Sequence, residues 1–226
     1  MDQGCRLKQE DFIVTNLGGG DFSRDLLERP DRNKEAVHHL QFPDDTAIIA
    51  VFDGHGGPLV SRNLAKTLEK VYFTSLVGVC DERATHCGTH ETPRESAGSL
   101  NLSRERDDIM CCALKQAIAQ LEVQAALDVH SAVFNASHPL AGVSRGLVGG
   151  STASIITITK FTQCEIGGEK REVLQLVGAA LGDSRAVLCR DGEAEPLMQD
   201  HRLKDNREEM DRVLKAGGEI SNDRVW

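Results

Sequence analysis

The run Thr46 to Phe52 is apolar and β-branched, and it stops at Asp53-Gly54-His55-Gly56-Gly57. Such a run reads as a strand, and glycines at its end permit a sharp turn and a close approach of backbone to a ligand. Beyond Pro58, apolar Val60, Leu64, Leu68, Val71 and Tyr72 recur at helical spacing, which predicts a helix with one buried face and proline in its first turn. A strand, a glycine turn bearing a carboxylate and a helix must therefore pack in succession.

Residues 11–16 form another strand candidate, separated from the first by a polar stretch containing Gly18, Gly19 and Gly20. Residues 78–108 are rich in Thr, Ser, Glu, Arg and His, and are expected to form an exposed, mobile polar insertion. Leu114, Ile118, Leu121 and Ala125 then predict a helix over residues 107–129, followed by a loop with Pro139 and several glycines. Residues 152–160, 173–181 and 186–190 read as antiparallel strands, with Gly167-Gly168 and Gly182-Asp183 reversing the chain. Asn206 as N-cap, Glu209 three residues on, Met210, Val213 and Leu214, and a stop at Gly217-Gly218 define a last helix. Strands and helices come in clusters rather than strict alternation, which points to an α+β layered fold.

The 226 residues suit one domain, and at 4% aromatic its core must be mostly aliphatic. A net charge of -9, with no basic run, argues against nucleic acid as a partner. Seven cysteines, an odd number without a Cys-x-x-Cys pair, point to reduced thiols and a cytoplasmic or nuclear location. No apolar signal core follows Met1, and no stretch reaches the ~18–20 apolar residues of a membrane span, so the chain reads as soluble.

A carboxylate and a free carbonyl are hard-cation ligands, so Asp53 and the Gly54 carbonyl suit Mg²⁺ or Mn²⁺, although the turn alone could equally be structural. The segment Arg6-Leu7-Lys8-Gln9-Glu10-Asp11 adds a guanidinium that can grip two phosphate oxygens and two more carboxylates. Together these suit phosphoester hydrolysis by paired cations, while Arg6 and Glu10 in isolation read as a surface ion pair. His55 has two readings, a general acid for a departing seryl or threonyl oxygen and a hydrogen-bonding neighbour of the metal ligands.

In order along the chain stand Arg6-x-x-x-Glu10-Asp11, Val51-Phe52-Asp53-Gly54-His55-Gly56-Gly57, Gly150-Ser151-Thr152-Ala153, Gly182-Asp183-Ser184-Arg185 and Gln199-Asp200-His201. This series resembles the metal-dependent type 2C serine/threonine protein phosphatases, the PPM family. The resemblance implies two antiparallel β-sheets packed as a sandwich with helices on both outer faces. It also implies two Mn²⁺ or Mg²⁺ ions and hydrolysis of phosphoserine and phosphothreonine in protein substrates by a metal-bridging water. By the same resemblance Asp53 bridges the metals, Glu10 and the Gly54 carbonyl support one of them, Asp11 orients coordinated water and Arg6 holds the substrate phosphate. Asp183 matches an aspartate of a third, weaker metal site, and reads equally well as shaping a turn between strands. Ser151 and Thr152 read as strand-start residues rather than nucleophiles.

Arg224-Val225-Trp226 resembles the lead-in to a further metal-binding aspartate of that family, and the sequence stops before it. Residues 1–226 are therefore expected to be a single phosphatase domain incomplete at its C-terminus, a piece of a longer enzyme. The alternatives are a natural short form, and a pseudophosphatase or regulatory binding module without full catalysis. A calcium-binding protein is disfavoured, since no EF-hand spacing occurs.

Overall fold

A computed structural model describes residues 11–16, 46–86, 98–134, 149–164, 169–222 and 224–225. Its elements are β1 (Phe12–Asn16), β2 (Thr46–Phe52), β3 (Gly54–His55), α1 (Leu59–His86), α2 (Gly98–Phe134), β4 (Gly150–Ser151), β5 (Ala153–Cys164) and β6 (Lys170–Leu181). They continue as β7 (Val187–Arg190), β8 (Glu193–Pro196), α3 (Arg207–Lys215), β9 (Ile220–Ser221) and β10 (Arg224–Val225). The fold is α+β, with wholly antiparallel pairing in a four-stranded sheet of order β1-β2-β5-β6.

Alternation along the strands decides which side chains meet the helices. Thr46, Ile48, Ala50 and Phe52 of β2 are buried, as are Ala153, Ile155, Thr157 and Thr159 of β5 and Val177 of β6. Against this face pack Val60, Leu64, Leu68, Tyr72, Leu76 and Val79 of α1, and Ile109, Met110, Ala113, Leu114, Ala117 and Leu121 of α2. Asn63 Nδ2 donates to Asp128 Oδ2 at 2.9 Å and Gln120 Nε2 to Ser75 Oγ at 3.3 Å, so α1 and α2 run antiparallel. Within the core the buried hydroxyls of Thr46 and Thr159 lie 3.2 Å apart, satisfying each other at the end of the β2–β5 ladder.

The opposite face of the sheet is apolar too. Ile13, Val51, Leu174 and Leu176 are exposed there, beside half-buried Ile49, Ile156 and Ile158. The side chain of Met198, just after β8, lies against Gly178 on this side, with its Cε 2.8 Å from where a Cβ on that residue would sit. A sheet apolar on both faces is built as an inner layer, which is the property a sandwich requires.

Several element limits differ from those read in the sequence. The polar character of residues 78–108 does not make the whole stretch a loop, because α1 runs through Gly78 to His86 with Val79 buried, and α2 already begins at Gly98. Core contacts on one side of a long helix outweigh the roughly 1 kcal/mol cost of a glycine and a polar outer face; residues 87–97 lie outside the described set. The run 186–190 pairs with β8 through a turn at Asp191 and Gly192, both with positive φ, and not with β6. Helix α3 begins as expected, with Asn206 Oδ1 accepting the Glu209 N–H at 2.9 Å, although the Glu209 carboxylate turns to Arg212 instead of back to the cap. Among the described residues no helix is long and apolar enough to cross a membrane.

Leu68 is fully buried at the helix–sheet contact, and Leu68→Ala is expected to lower the unfolding free energy by about 2–5 kcal/mol in denaturant titration. Burial pushes the Tyr72 hydroxyl and the Cys80 thiol up to about 12, from ordinary values of 10.0 and 9.0. Above pH 9.0 the unfolded chain therefore loses these protons before the folded one does, so stability falls as pH rises from there towards 12. Thermal unfolding measured across this range should show that decline, and Tyr72→Phe should make it shallower.

Candidate active site

Four strands end on one line across the sheet. β1 and β2 pair Phe12 with Phe52, and that register carried one residue further sets Asp11 opposite Asp53. β2 and β5 pair Val51 with Ser154, which sets Asp53 opposite Thr152. β5 and β6 pair Ala153 with Leu181, which sets Thr152 opposite Gly182. Asp11, Asp53, Thr152 and Gly182 thus form a single cross-strand row, one residue beyond the apolar row Phe12, Phe52, Ala153 and Leu181. Each belongs to a different motif of the sequence. The fifth motif joins through its backbone, where the His201 N–H donates to the Gly182 carbonyl at 3.1 Å.

Hydrogen bonds fix the centre of this row. The Thr152 N–H donates to the Asp53 carbonyl at 2.9 Å, and the Asp53 N–H donates to Thr152 Oγ1 at 3.3 Å. Ser151 Oγ lies 3.3 Å from the same Asp53 carbonyl and donates to the Thr152 carbonyl at 2.7 Å. Both Asp11 and Asp53 are half-buried, and one carboxylate oxygen of Asp11 is fully buried. Two carboxylates facing each other across a ladder carry like charge and offer only oxygen donors, a set that suits a hard divalent cation.

Past Asp53 the chain makes the two-residue strand β3, pairing Gly54 with Ser151 and His55 with Gly150. Gly54 is buried, whereas His55 is exposed with the Nε2–Cε1 edge of its ring close to Gly150. A Cβ on Gly150 would come within 2.7 Å of His55 Nε2 and 2.8 Å of Cε1, so a larger residue there requires the imidazole to shift. Gly56 and Gly57 then take φ of 71° and 123°, turning the chain into α1.

Asp183 is exposed, in the turn after β6. Gly182 has φ of 89°, and a Cβ there would meet Thr152 Cγ2 at 2.8 Å. Ser184 Oγ lies 2.6 Å from Thr152 Oγ1, and Ser154 Oγ donates to the Ser184 carbonyl at 2.8 Å. Arg185 faces Asp200 at 3.7 Å, and Asp200 Oδ1 accepts the Arg202 N–H at 2.8 Å. The Gln199-Asp200-His201 segment is thereby strapped over the Asp183 turn.

Asp11, Asp53, Gly54, His55 and the turn bearing Asp183 therefore gather at one end of the sheet, whereas Arg6 and Glu10 lie outside the described residues. Among the described residues no three His, Cys, Asp or Glu side chains come together as a metal-binding group. Reading the sequence missed Gly150, the bed of His55, and Thr152 and Ser184, the hydroxyl pair between the two aspartate turns. The signal for them was their place in the Gly-Ser-Thr-Ala and Gly-Asp-Ser-Arg motifs, whose spacing does not show that the two meet.

A family model described as Protein phosphatase 2C matches residues 27–226, a span that starts after Asp11. Probable protein phosphatase 2C 58 of Oryza sativa subsp. japonica is 30% identical over 193 residues, covering 82% of this chain and 48% of the relative. Probable protein phosphatase 2C 75 of Arabidopsis thaliana is 27% identical over 196 residues, covering 86% of this chain and 38% of the relative. The chain thus spans half or less of the length of both. A solved Caenorhabditis elegans sex-determining protein superposes with a TM-score of 0.51 at 21% identity, over 98% of this chain and 38% of that one, a likeness of fold alone. With the motifs on one row and the family model covering most of its length, this chain belongs to the protein phosphatase 2C family.

Proposed function

We propose that the whole protein hydrolyses phosphoserine and phosphothreonine in protein substrates, with two divalent cations, Mn²⁺ or Mg²⁺, at the end of the four-stranded sheet. One observation carries this reading: the register sets Asp11 opposite Asp53, and the backbone of Asp53 is held by Thr152. Asp53 and the Gly54 carbonyl would hold the cations, together with Glu10, and Asp11 would orient water beside them. Bound cations supply positive charge for the developing transition state and activate water as the nucleophile. Arg6 would grip the substrate phosphate through its planar fork.

His55 suits the role of proton donor to the leaving oxygen. The residue is exposed, and the Nε2–Cε1 edge of its ring lies close to Gly150, with which it pairs across β3 and β4. Asp183 would contribute to a third, weaker cation site from the neighbouring turn. Residues 1–226 then belong to one phosphatase domain whose partners are phosphoproteins.

The test is phosphate release from a phosphothreonine peptide by the full-length protein. EDTA is expected to abolish activity and Mn²⁺ to restore it, and Asp53→Asn is expected to lower kcat by at least about 100-fold, the order seen when transition-state charge stabilisation is lost. Activity that survives both changes would remove the cations from the reading. Full-length protein that binds a phosphoprotein but shows neither Mn²⁺ binding nor turnover would make it a binding module.

Gly150→Ala drives a methyl group into the His55 ring. It is expected to lower kcat by roughly 10- to 100-fold, a part of the ~100- to 10,000-fold that a general acid contributes, and leave the KM of the peptide little changed. Histidine ring resonances in the NMR spectrum would report the displaced imidazole. A shifted His55 resonance with unaltered kcat would remove His55 from the reaction.

A further inference from the structure

Thr152 stands in the row between the Asp53 turn and the Asp183 turn, and it touches both in three ways. Its backbone N–H and its hydroxyl exchange hydrogen bonds with the backbone of Asp53, at 2.9 and 3.3 Å. Its hydroxyl lies 2.6 Å from Ser184 Oγ, the residue after Asp183. Its methyl packs where Gly182 has no Cβ, close enough that any larger residue at that position would collide with it.

A threonine hydroxyl has one proton and two lone pairs. At Thr152 one lone pair takes the Asp53 N–H, so the remaining proton and lone pair serve the bond to Ser184, in either direction. Ser184 is itself anchored, since its carbonyl accepts from Ser154 Oγ at 2.8 Å. Both hydroxyls are half-buried, where a short hydrogen bond is stronger than in water and a missing partner costs more.

We infer that Thr152 is a positioning residue that couples the two aspartates: its hydroxyl, shared between the Asp53 N–H and Ser184 Oγ, makes the Asp53 and Asp183 turns move as one unit. Cations held through Asp53 and Asp183 are then linked in affinity, each binding event finding the other turn already placed. The inference rests on the phosphatase reading for the roles of the two aspartates, and on the hydrogen bonds for the coupling.

Paired substitutions separate the hydroxyl from the methyl. Thr152→Val keeps the branched shape against Gly182 and removes the hydroxyl, whereas Thr152→Ser keeps the hydroxyl and removes the methyl. In the full-length protein, Mn²⁺ titration calorimetry is expected to show about tenfold weaker binding for Thr152→Val, the scale of one buried hydrogen bond, and a change within about twofold for Thr152→Ser. Ser184→Ala, which leaves the bond from the Asp53 N–H in place, should weaken Mn²⁺ by no more than Thr152→Val does, and the double variant should fall no further than Thr152→Val alone. Turnover should follow in kcat, with the KM for a phosphothreonine peptide unchanged.

Equal Mn²⁺ affinity in the Thr152→Val and unsubstituted proteins would overturn the coupling, as would equal damage from Thr152→Ser or strictly additive losses in the double variant. If Thr152→Val does not fold, Ser184→Ala carries the same test, because it removes the second hydroxyl and leaves the row intact. Unsubstituted protein that binds no Mn²⁺ and hydrolyses nothing overturns the phosphatase reading and the coupling together. Binding and turnover by the unsubstituted protein with unaffected variants overturn the coupling alone.

Discussion

A strand that ends inside a sheet must still give its last backbone groups a partner, and at Asp53 that partner is Thr152. The reciprocal bonds between them extend the β2–β5 ladder one pair past the last buried phenylalanine, so the carboxylate emerges from a fixed backbone and not from a loose loop. Everything at this end of the sheet depends on that pair. β3 and β4 zip onward from it, His55 is laid on Gly150 by the same register, and the Asp183 turn is reached through the Thr152 hydroxyl.

Thr46–Phe52 was legible because both its sides are apolar and a glycine turn stops it, and the start of α3 because Asn206 and Glu209 satisfy helix-end donors locally. The place of Asp53, Gly54 and His55 in a turn at the end of that strand was legible for a related reason, since glycines after an apolar run let the chain reverse there. Helix extent was not legible, since α1 past Gly78 is held by burial of Val79 against elements distant in sequence, which composition does not reveal. Nor was the contact between Thr152 and Ser184. Their motifs are separated by a 12-residue hairpin arm on each side, and only the register of β5 with β6 brings them into one row.

The sheet itself is asymmetric in what covers it but not in what it presents. One face is closed by α1 and α2 through a mostly aliphatic core, in keeping with the low aromatic content. The other carries Ile49, Ile156, Ile158 and Leu176 in adjoining strands, and Met198 lies against it at Gly178. By alternation, Asp11, Asp53 and Thr152 point to this second side, because Phe52 and Ala153 beside them point to the helices. These residues therefore lie half-buried at the rim of the face a sandwich would cover, with their backbone held within the sheet.

The chemistry of the fasteners matters as much as their geometry. Holding an aspartate in place with a lysine or arginine would fix its position and cancel the charge that attracts a cation. The backbone of Asp53 is held by neutral groups: the Thr152 amide and the Ser151 hydroxyl reach its carbonyl, and the Thr152 hydroxyl takes its N–H. Arg185, the guanidinium closest in sequence to Asp183, is turned to Asp200. Neutral hydrogen bonds to the backbone thus fix where the Asp53 side chain leaves the sheet without using either of its carboxylate oxygens.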